Sequence, residues 1–179
     1  SYPMRPLRWL PALALSVLVA APAAAQSFQE EVAIDLRAVG EKYVSLAQAM
    51  PVDAYDWRPG EGVRSVSEVF MHIAAANMGL PANFMQVMPP AGYAQDWFGS
   101  AEQIADKAEI VGHLETAFEH VAATIEGLTD EQLTTSVNVF GRETTWLGAV
   151  LLIQTHSHEH LGQAIAYART NGVVPPWSM

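Results

Sequence analysis

The sequence of 179 residues contains no cysteine, which excludes disulfide bonds, thiolate metal sites and a cysteine nucleophile. Basic residues are also few, because nine Lys and Arg stand against 19 Asp and Glu and give a formal net charge of −10. A chain this acidic repels phosphate backbones, so no nucleic-acid partner is expected. The sequence shows no internal repeat or low-complexity tract. Hydrophobic residues make up 50% of it, which is enough for an ordinary core in one domain.

The chain begins with an apolar segment that has the features of an export signal. Two arginines precede an uncharged apolar run from Trp9 to Ala25, and this run ends in the small-residue spacing of a signal cleavage site. By the positive-inside rule, the rest of the chain lies outside the cytoplasm. Residues 1–26 are therefore predicted to be either a cleaved signal peptide or a retained membrane anchor in the form of an apolar helix. Residues 27–179 are predicted to form the folded domain.

The remainder of the chain shows helical periodicity. Apolar residues recur every three or four positions, and two segments begin with a capping box, in which a serine is followed three residues later by a glutamate. The third helix is predicted to begin at Ser100–Gln103. The four predicted helices cover residues 28–49, 66–88, 101–127 and 145–171. This pattern predicts an all-α four-helix bundle, and two long loops leave room for a crossover connection.

Three histidines fall within five positions of the last predicted helix, in the stretch THSHEHLGQ. His156 and His160 are four apart, so they share one helix face, and the other residues on that face are apolar. Two imidazoles on a core-facing stripe need polar partners, and a shared divalent metal ion would satisfy both. His158 is predicted to point away from this pair, and Glu159 to lie on the helix surface.

A metal site needs a third ligand, for which His72 on an apolar face of the second helix is the strongest candidate. Three imidazoles that leave open coordination positions suit Zn²⁺, Ni²⁺ or Fe²⁺. The alternative is that His72 is a core histidine with ordinary hydrogen bonds, and that the pair in the last helix arises by chance. His113 and His120 lie among glutamates of the third helix and are predicted to be surface residues.

Two separated stretches resemble the DinB-like (DinB/YfiT-type) family of metal-binding bundles. They are YDWRPGEGVRSVSEVFMHIAAAN and HSHEHLGQAIAYARTNGVVPPWS, residues 55–77 and 156–178. The resemblance implies a four-helix bundle with a crossover connection. It also implies a three-histidine site, with one ligand from the second helix and a pair, four apart, just before Gly-Gln. Carried over to this sequence, the ligands are His72, His156 and His160.

The resemblance implies no single reaction, so three functions are open. We rank first a periplasmic accessory subunit of a respiratory or photosynthetic membrane complex, which its N-terminal helix anchors in the membrane. In this function, the three-histidine site of the subunit is available to bind a divalent metal. The second is an exported metal-dependent enzyme, a hydrolase or a thiol transferase, that uses the three-histidine site. The third is a soluble periplasmic metal-binding protein. The sequence does not identify the catalytic residues. No organic cofactor is expected, and the formation of a homo-oligomer is left open.

Overall fold

The computed structural model describes residues 26–93 and 95–178. Three short 3₁₀ turns accompany the helices at Val52–Ala54, Ala101–Gln103 and Pro176–Ser178. The other elements are α1 Phe28–Ala49, α2 Val66–Met85, α3 Gln95–Ser100, α4 Lys107–Glu126, α5 Asp130–Leu133, β1 Ser136–Val139, β2 Arg142–Thr145 and α6 Trp146–Thr170. Within the described ranges, no helix combines the length and the apolar character that a membrane span requires. The predicted N-terminal apolar helix lies outside the described residues.

Reciprocal side-chain caps begin two of the long helices. Before α1, the Ser27 hydroxyl accepts the backbone N–H of Glu30, and the Glu30 carboxylate accepts the N–H of Ser27 at 2.8 Å. Ser65 and Glu68 make the same pair of bonds at the start of α2, at 3.3 and 2.7 Å. These bonds satisfy N–H groups that have no partner inside the helix. Both capping boxes predicted from the sequence are therefore confirmed.

One predicted helix boundary, the start of the third long helix, is wrong. The third long helix begins at Lys107, because the Asp106 side chain caps it by accepting the backbone N–H three residues on. Ser100 instead ends α3, and its hydroxyl bonds to carbonyl groups of the preceding turn. The second helix ends at Met85, within the roughly two to four residues allowed for its predicted end at residue 88, because Gln86 adopts a left-handed conformation with φ of 58°. That conformation is common at helix C-termini.

A β-hairpin lies between α5 and α6, in the stretch between the third and fourth predicted helices, where no strand was predicted. Strands β1 and β2 pair antiparallel in a register that places Val139 opposite Arg142. The turn residues Phe140 and Gly141 both have positive φ, 51° and 87°. Positive φ at both central residues is the mark of the type I′ turn, whose twist matches that of the strands. Each strand has only four residues, which is too short for an alternating pattern to stand out.

The four long helices form a bundle in which successive helices are not all neighbours. Helix α1 packs against α4 and α6, and α2 packs against the same two helices. Helices α1 and α2 therefore lie diagonally across the bundle, so the connection between them crosses it. In a simple up-and-down bundle they would be adjacent. The all-α bundle with a crossover connection predicted from the sequence is confirmed.

The core is built from the inward faces of all four long helices. Leu36 and Tyr43 of α1 and Ile73 of α2 have no solvent exposure. Leu114 of α4 and Ile153 of α6 are equally buried. Burying such side chains contributes about 1.5–3 kcal/mol each, which makes this packing the main source of stability. The same core fixes the relative positions of α2 and α6, from which the histidines project.

Candidate metal centre

The three histidines singled out in the sequence come together between α2 and α6. The ring centroid of His72 lies 5.3 Å from that of His156 and 4.7 Å from that of His160. The rings of His156 and His160 are 4.5 Å apart. One ring nitrogen from each residue lies within 4.8 Å of the other two, and all three side chains are half-buried. The geometry therefore offers three imidazole donors around one point that solvent can reach.

A chain of hydrogen bonds orients His160. Its Nδ1 lies 2.8 Å from Oε1 of Gln163, one turn further along α6. The amide of Gln163 donates to the hydroxyl of Tyr167 at 3.0 Å, and that hydroxyl donates to the backbone carbonyl of Arg64 at 3.2 Å. Because the Gln163 oxygen can only accept, the proton of His160 resides on Nδ1. Its Nε2 therefore carries a lone pair, which faces Nε2 of His156 at 3.1 Å.

A carboxylate orients His72 in the same way. The Nδ1 of His72 lies 2.9 Å from Oε1 of Glu102, whose two carboxylate oxygens also accept from Nε of Arg64 at 3.1 and 3.0 Å. Burial alone would raise the pKa of Glu102, but the bonds from Arg64 and His72 outweigh it and hold the pKa below its usual range. An ionised carboxylate on Nδ1 leaves Nε2 of His72 free, and it increases the basicity of the ring.

His156 is the least supported of the three rings. Its Nε2 faces Nε2 of His160 at 3.1 Å, while its buried Nδ1 has no hydrogen-bond partner in the described part of the chain. Burial, with added repulsion from His160 and His72, lowers the pKa of His156 to about 4. Burial also lowers the pKa of His72, despite its bond to Glu102. Both rings are thus neutral near pH 7, and neutral imidazole is the form that binds metals.

The donor set fits a divalent metal ion. Two nitrogens bound at about 2.0–2.1 Å to one ion commonly lie a little over 3 Å apart. The 3.1 Å separation between Nε2 of His156 and Nε2 of His160 matches this spacing. Zn²⁺, Ni²⁺ and Fe²⁺ all accept imidazole ligands. Three protein ligands leave at least one coordination position for water or substrate, as in catalytic rather than structural sites.

A cleft of about 380 Å³ opens beside His72. One face of α2 lines it, together with residues of the segment that leads into α4. The lining includes Ala75, Ala76, Gly79, Tyr93, Phe98 and Glu102. A second groove, of about 310 Å³, lies between α1 and α4 and includes none of the three histidines. Of these two, only the first cleft borders one of the three histidines.

The remaining histidines lie outside the cluster. The Nε2 of His158 bonds to Asp35 on α1 at 2.8 Å, as expected for a side chain that points away from the pair. The prediction that His113 and His120 are surface residues is wrong, because both are half-buried and burial lowers the pKa of each. The Nδ1 of His113 lies 3.0 Å from the hydroxyl of Tyr93, beside the cleft.

Two supporting residues were missed by the sequence analysis. Gln163 lies three positions after His160, and residues at this spacing are neighbours on a helix, so its contact could have been predicted. Glu102 lies 30 positions from His72, in the 3₁₀ turn after α3. The sequence placed it at the start of the third predicted helix, and no pattern in the sequence connects it with His72.

The chain belongs to the DinB superfamily, whose family model matches residues 35–164. The four-helix bundle with histidines projecting between α2 and α6 is thus a DinB-like domain. Its similar curated relatives include YjoA of Bacillus subtilis (strain 168), an uncharacterised protein. The two are 28% identical over 130 residues, which cover 71% of this chain and 80% of YjoA.

Solved structures of DinB-like proteins share the fold. A DinB-like protein from Bacillus cereus ATCC 10987 superposes with a TM-score of 0.69 at 17% identity, over 82% of this chain and 95% of that protein. YfiT from Bacillus subtilis superposes with a TM-score of 0.64 at 19% identity, over 87% of this chain and 95% of that protein. YfiT is described as a probable metal-dependent hydrolase with an unusual four-helix bundle topology.

Proposed function

We propose that this protein is a metal-dependent hydrolase in which His72, His156 and His160 hold one divalent ion. The observation that carries the proposal is the convergence of the three rings, with one nitrogen of each within 4.8 Å of the others. Two of these rings have Nδ1 engaged by Glu102 and Gln163, which directs Nε2 toward the common point. A chance pair of helical histidines would not bring a third ring with its own carboxylate partner.

The residues around the centre have separable roles. A bound divalent ion supplies Lewis-acid activation of water and of an acyl or similar oxygen. Glu102 positions His72, and Arg64 keeps Glu102 ionised through two contacts near 3 Å. Gln163 positions His160 through Nδ1. The cleft beside His72 brings the substrate to the open side of the site and restricts its contact with bulk water.

Hydrolysis is favoured over the other functions by two considerations. The cleft borders the histidine that bonds to Glu102, as a reactive site requires, and the structurally similar YfiT is described as a probable metal-dependent hydrolase. The accessory-subunit function rested on residues 1–26, of which only Gln26 is described. We therefore rank the enzyme above the accessory subunit, and the membrane attachment stays a prediction.

Elemental analysis of the purified protein tests the metal assignment. We expect close to one divalent ion per chain, and loss of that ion in His72→Ala, His156→Ala and His160→Ala. His158→Ala is the matched control, because this residue lies on the same helix but faces Asp35. Hydrolysis of ester and amide probes should stop on chelation and return when Zn²⁺, Ni²⁺ or Fe²⁺ is restored. Full metal content in the triple-alanine variant would refute the assignment.

A further inference from the structure

The cleft beside His72 extends along one face of α2. His72, Ala76, Gly79 and Asn83 all line it, at intervals of three or four residues. Asn83 lies eleven positions after His72, which corresponds to about 16 Å of helix. The metal centre is at one end of this line, and the exposed amide of Asn83 is at the other. The cleft thus accommodates an extended group that lies along the helix.

The lining of this cleft is almost free of charge. Among the described residues that line it, His72 and Glu102 are the only ionisable ones besides the Tyr93 hydroxyl, and none is Lys or Arg. Glu102 is already bonded to His72 and Arg64, so its charge is compensated at the metal end. Apart from Asn83 at the far end, the rest is formed by small aliphatic residues, Leu80, Met88, Pro89 and the aromatic rings of Tyr93 and Phe98. A charged group would lose its hydration there without gaining a partner.

Gly79 keeps the middle of the cleft open. It lies inside α2 and has no positive φ, so the backbone does not require glycine at this position. A Cβ atom built on Gly79 would lie 3.4 Å from Cε1 of Phe98, an ordinary van der Waals contact. Glycine in a helix interior is less stable than alanine. The fold therefore tolerates a methyl group at position 79, and helix propensity favours alanine there. The space that the glycine leaves unfilled is part of the cleft.

We infer that the substrate carries an uncharged, apolar group, aromatic or aliphatic, that lies along α2 against Gly79, with its hydrolysable bond at the metal end. The assignment of the bond to this end rests on the proposed hydrolase function. The recognition of the apolar group does not, because it depends only on the cleft. Gly79 and Phe98 together determine how wide that group can be.

Binding of two matched probes tests the inference without any turnover. Naphthalene carboxamide and naphthalene carboxylate differ little in size, but only the second is charged near pH 7. In the chelated protein, we expect the amide to shift the backbone NMR signals of residues 75–83, and the carboxylate to bind at least about tenfold more weakly. The measurement uses the full chain after chelation, because a carboxylate could otherwise bind the metal ion itself. Similar or tighter binding of the carboxylate to the chelated protein would overturn the inference.

Substitutions at Gly79 locate the bound group. Gly79→Ala should weaken binding of the amide several-fold while it raises the melting temperature, and Gly79→Leu should abolish binding. Gly112→Ala is the control, since it also replaces a helical glycine but its Cβ meets no atom within 4 Å. Unchanged binding in both Gly79 variants would refute the assigned position. If binding persists but the protein holds no metal, the proposed hydrolase fails and the cleft assignment stands.

Discussion

The Nε2 atoms of His156 and His160 face each other at 3.1 Å, one helical turn apart on α6. Without a metal, one proton must lie between the two nitrogens, because two lone pairs at this distance would repel each other. Since His160 carries its own proton on Nδ1, that shared proton belongs to His156. For a divalent ion to bind both Nε2 atoms, the proton of His156 has to move to its Nδ1. Because only neutral imidazoles bind a metal, we expect acid to weaken metal binding by protonating the rings.

Acid should destabilise the metal-free protein before its carboxylates titrate. Burial holds the pKa of His156 at about 4, against 6.5 for an unperturbed histidine. As pH falls below 6.5, the unfolded state therefore takes up protons that the folded state does not, and the free energy of unfolding decreases down to about pH 4. Urea denaturation across this range should show the decrease, and it should be shallower in His156→Gln. Equal slopes in both proteins would contradict the lowered pKa.

Loss of the carboxylate behind His72 should weaken metal binding without removing a ligand. Glu102→Gln keeps a hydrogen-bond acceptor but loses the negative charge that strengthens His72 as a donor. We expect the dissociation constant of the metal to rise about 10- to 100-fold, as is typical for outer-shell partners of metal ligands. Competition with a chromophoric chelator measures this constant. Glu119→Gln removes a carboxylate of α4 that pairs with Arg37 of α1 in the groove that contains none of the three histidines, and it should leave the constant unchanged.

Substitution of Gly40 should destabilise the contact between α1 and α4. A Cβ atom on Gly40 would lie 2.7 Å from Cβ of the buried Phe118, so the two helices would have to separate. We expect Gly40→Ala to lower the free energy of unfolding by about 1–3 kcal/mol, despite the better helix propensity of alanine. Gly112→Ala, where the added methyl meets nothing, should raise it by about 0.5–1 kcal/mol. A stabilised Gly40→Ala variant would show that the helices pack less closely.

The predicted membrane attachment can be tested by fractionation of native protein. If residues 1–26 are a retained anchor, the protein should stay in the membrane fraction at high salt and leave it only in detergent. The N-terminal sequence of the isolated protein would then begin before the apolar run. Recovery of a soluble periplasmic form that begins near Gln26 would identify a cleaved signal. Recovery of the intact chain from the cytoplasm would contradict both forms of the prediction.

The sequence revealed the parts of the fold and site that depend on short-range order. The spacing of His156 and His160 placed both on one helix face, and the capping boxes at Ser27 and Ser65 fixed two helix starts within a residue. Such features depend on neighbours three or four positions away. The start of α4 was misplaced because Ser100 and Asp106 are both acceptable caps, and tertiary packing selected the second.

Interactions across the bundle could not be predicted from local pattern. The bond between His72 and Glu102 joins α2 to a 3₁₀ turn after α3, and it depends on how the intervening loop returns to the helix. The partial burial of His113 likewise results from Tyr93 in that loop, whose hydroxyl lies 3.0 Å from the ring. The glutamates near His113 in the sequence suggested that this residue is exposed. The loop that covers it has no helical or strand periodicity, so nothing in the sequence indicated the cover. These contacts become visible only when the chain path is known.

If the proposed ion is bound, its ligands on α2 and α6 cross-link this cysteine-free chain. His156 lies 84 positions after His72, so an ion bound by both would close more than half of the domain into a loop, as a covalent cross-link would. In the chain-entropy account, a disulfide that closes a loop of this size stabilises the folded state by on the order of 4–5 kcal/mol, because it lowers the entropy of the unfolded state. A coordinate bond differs in that chelators, rather than reductants, release it. Folding of the domain would thereby depend on metal supply instead of on the redox state of its compartment.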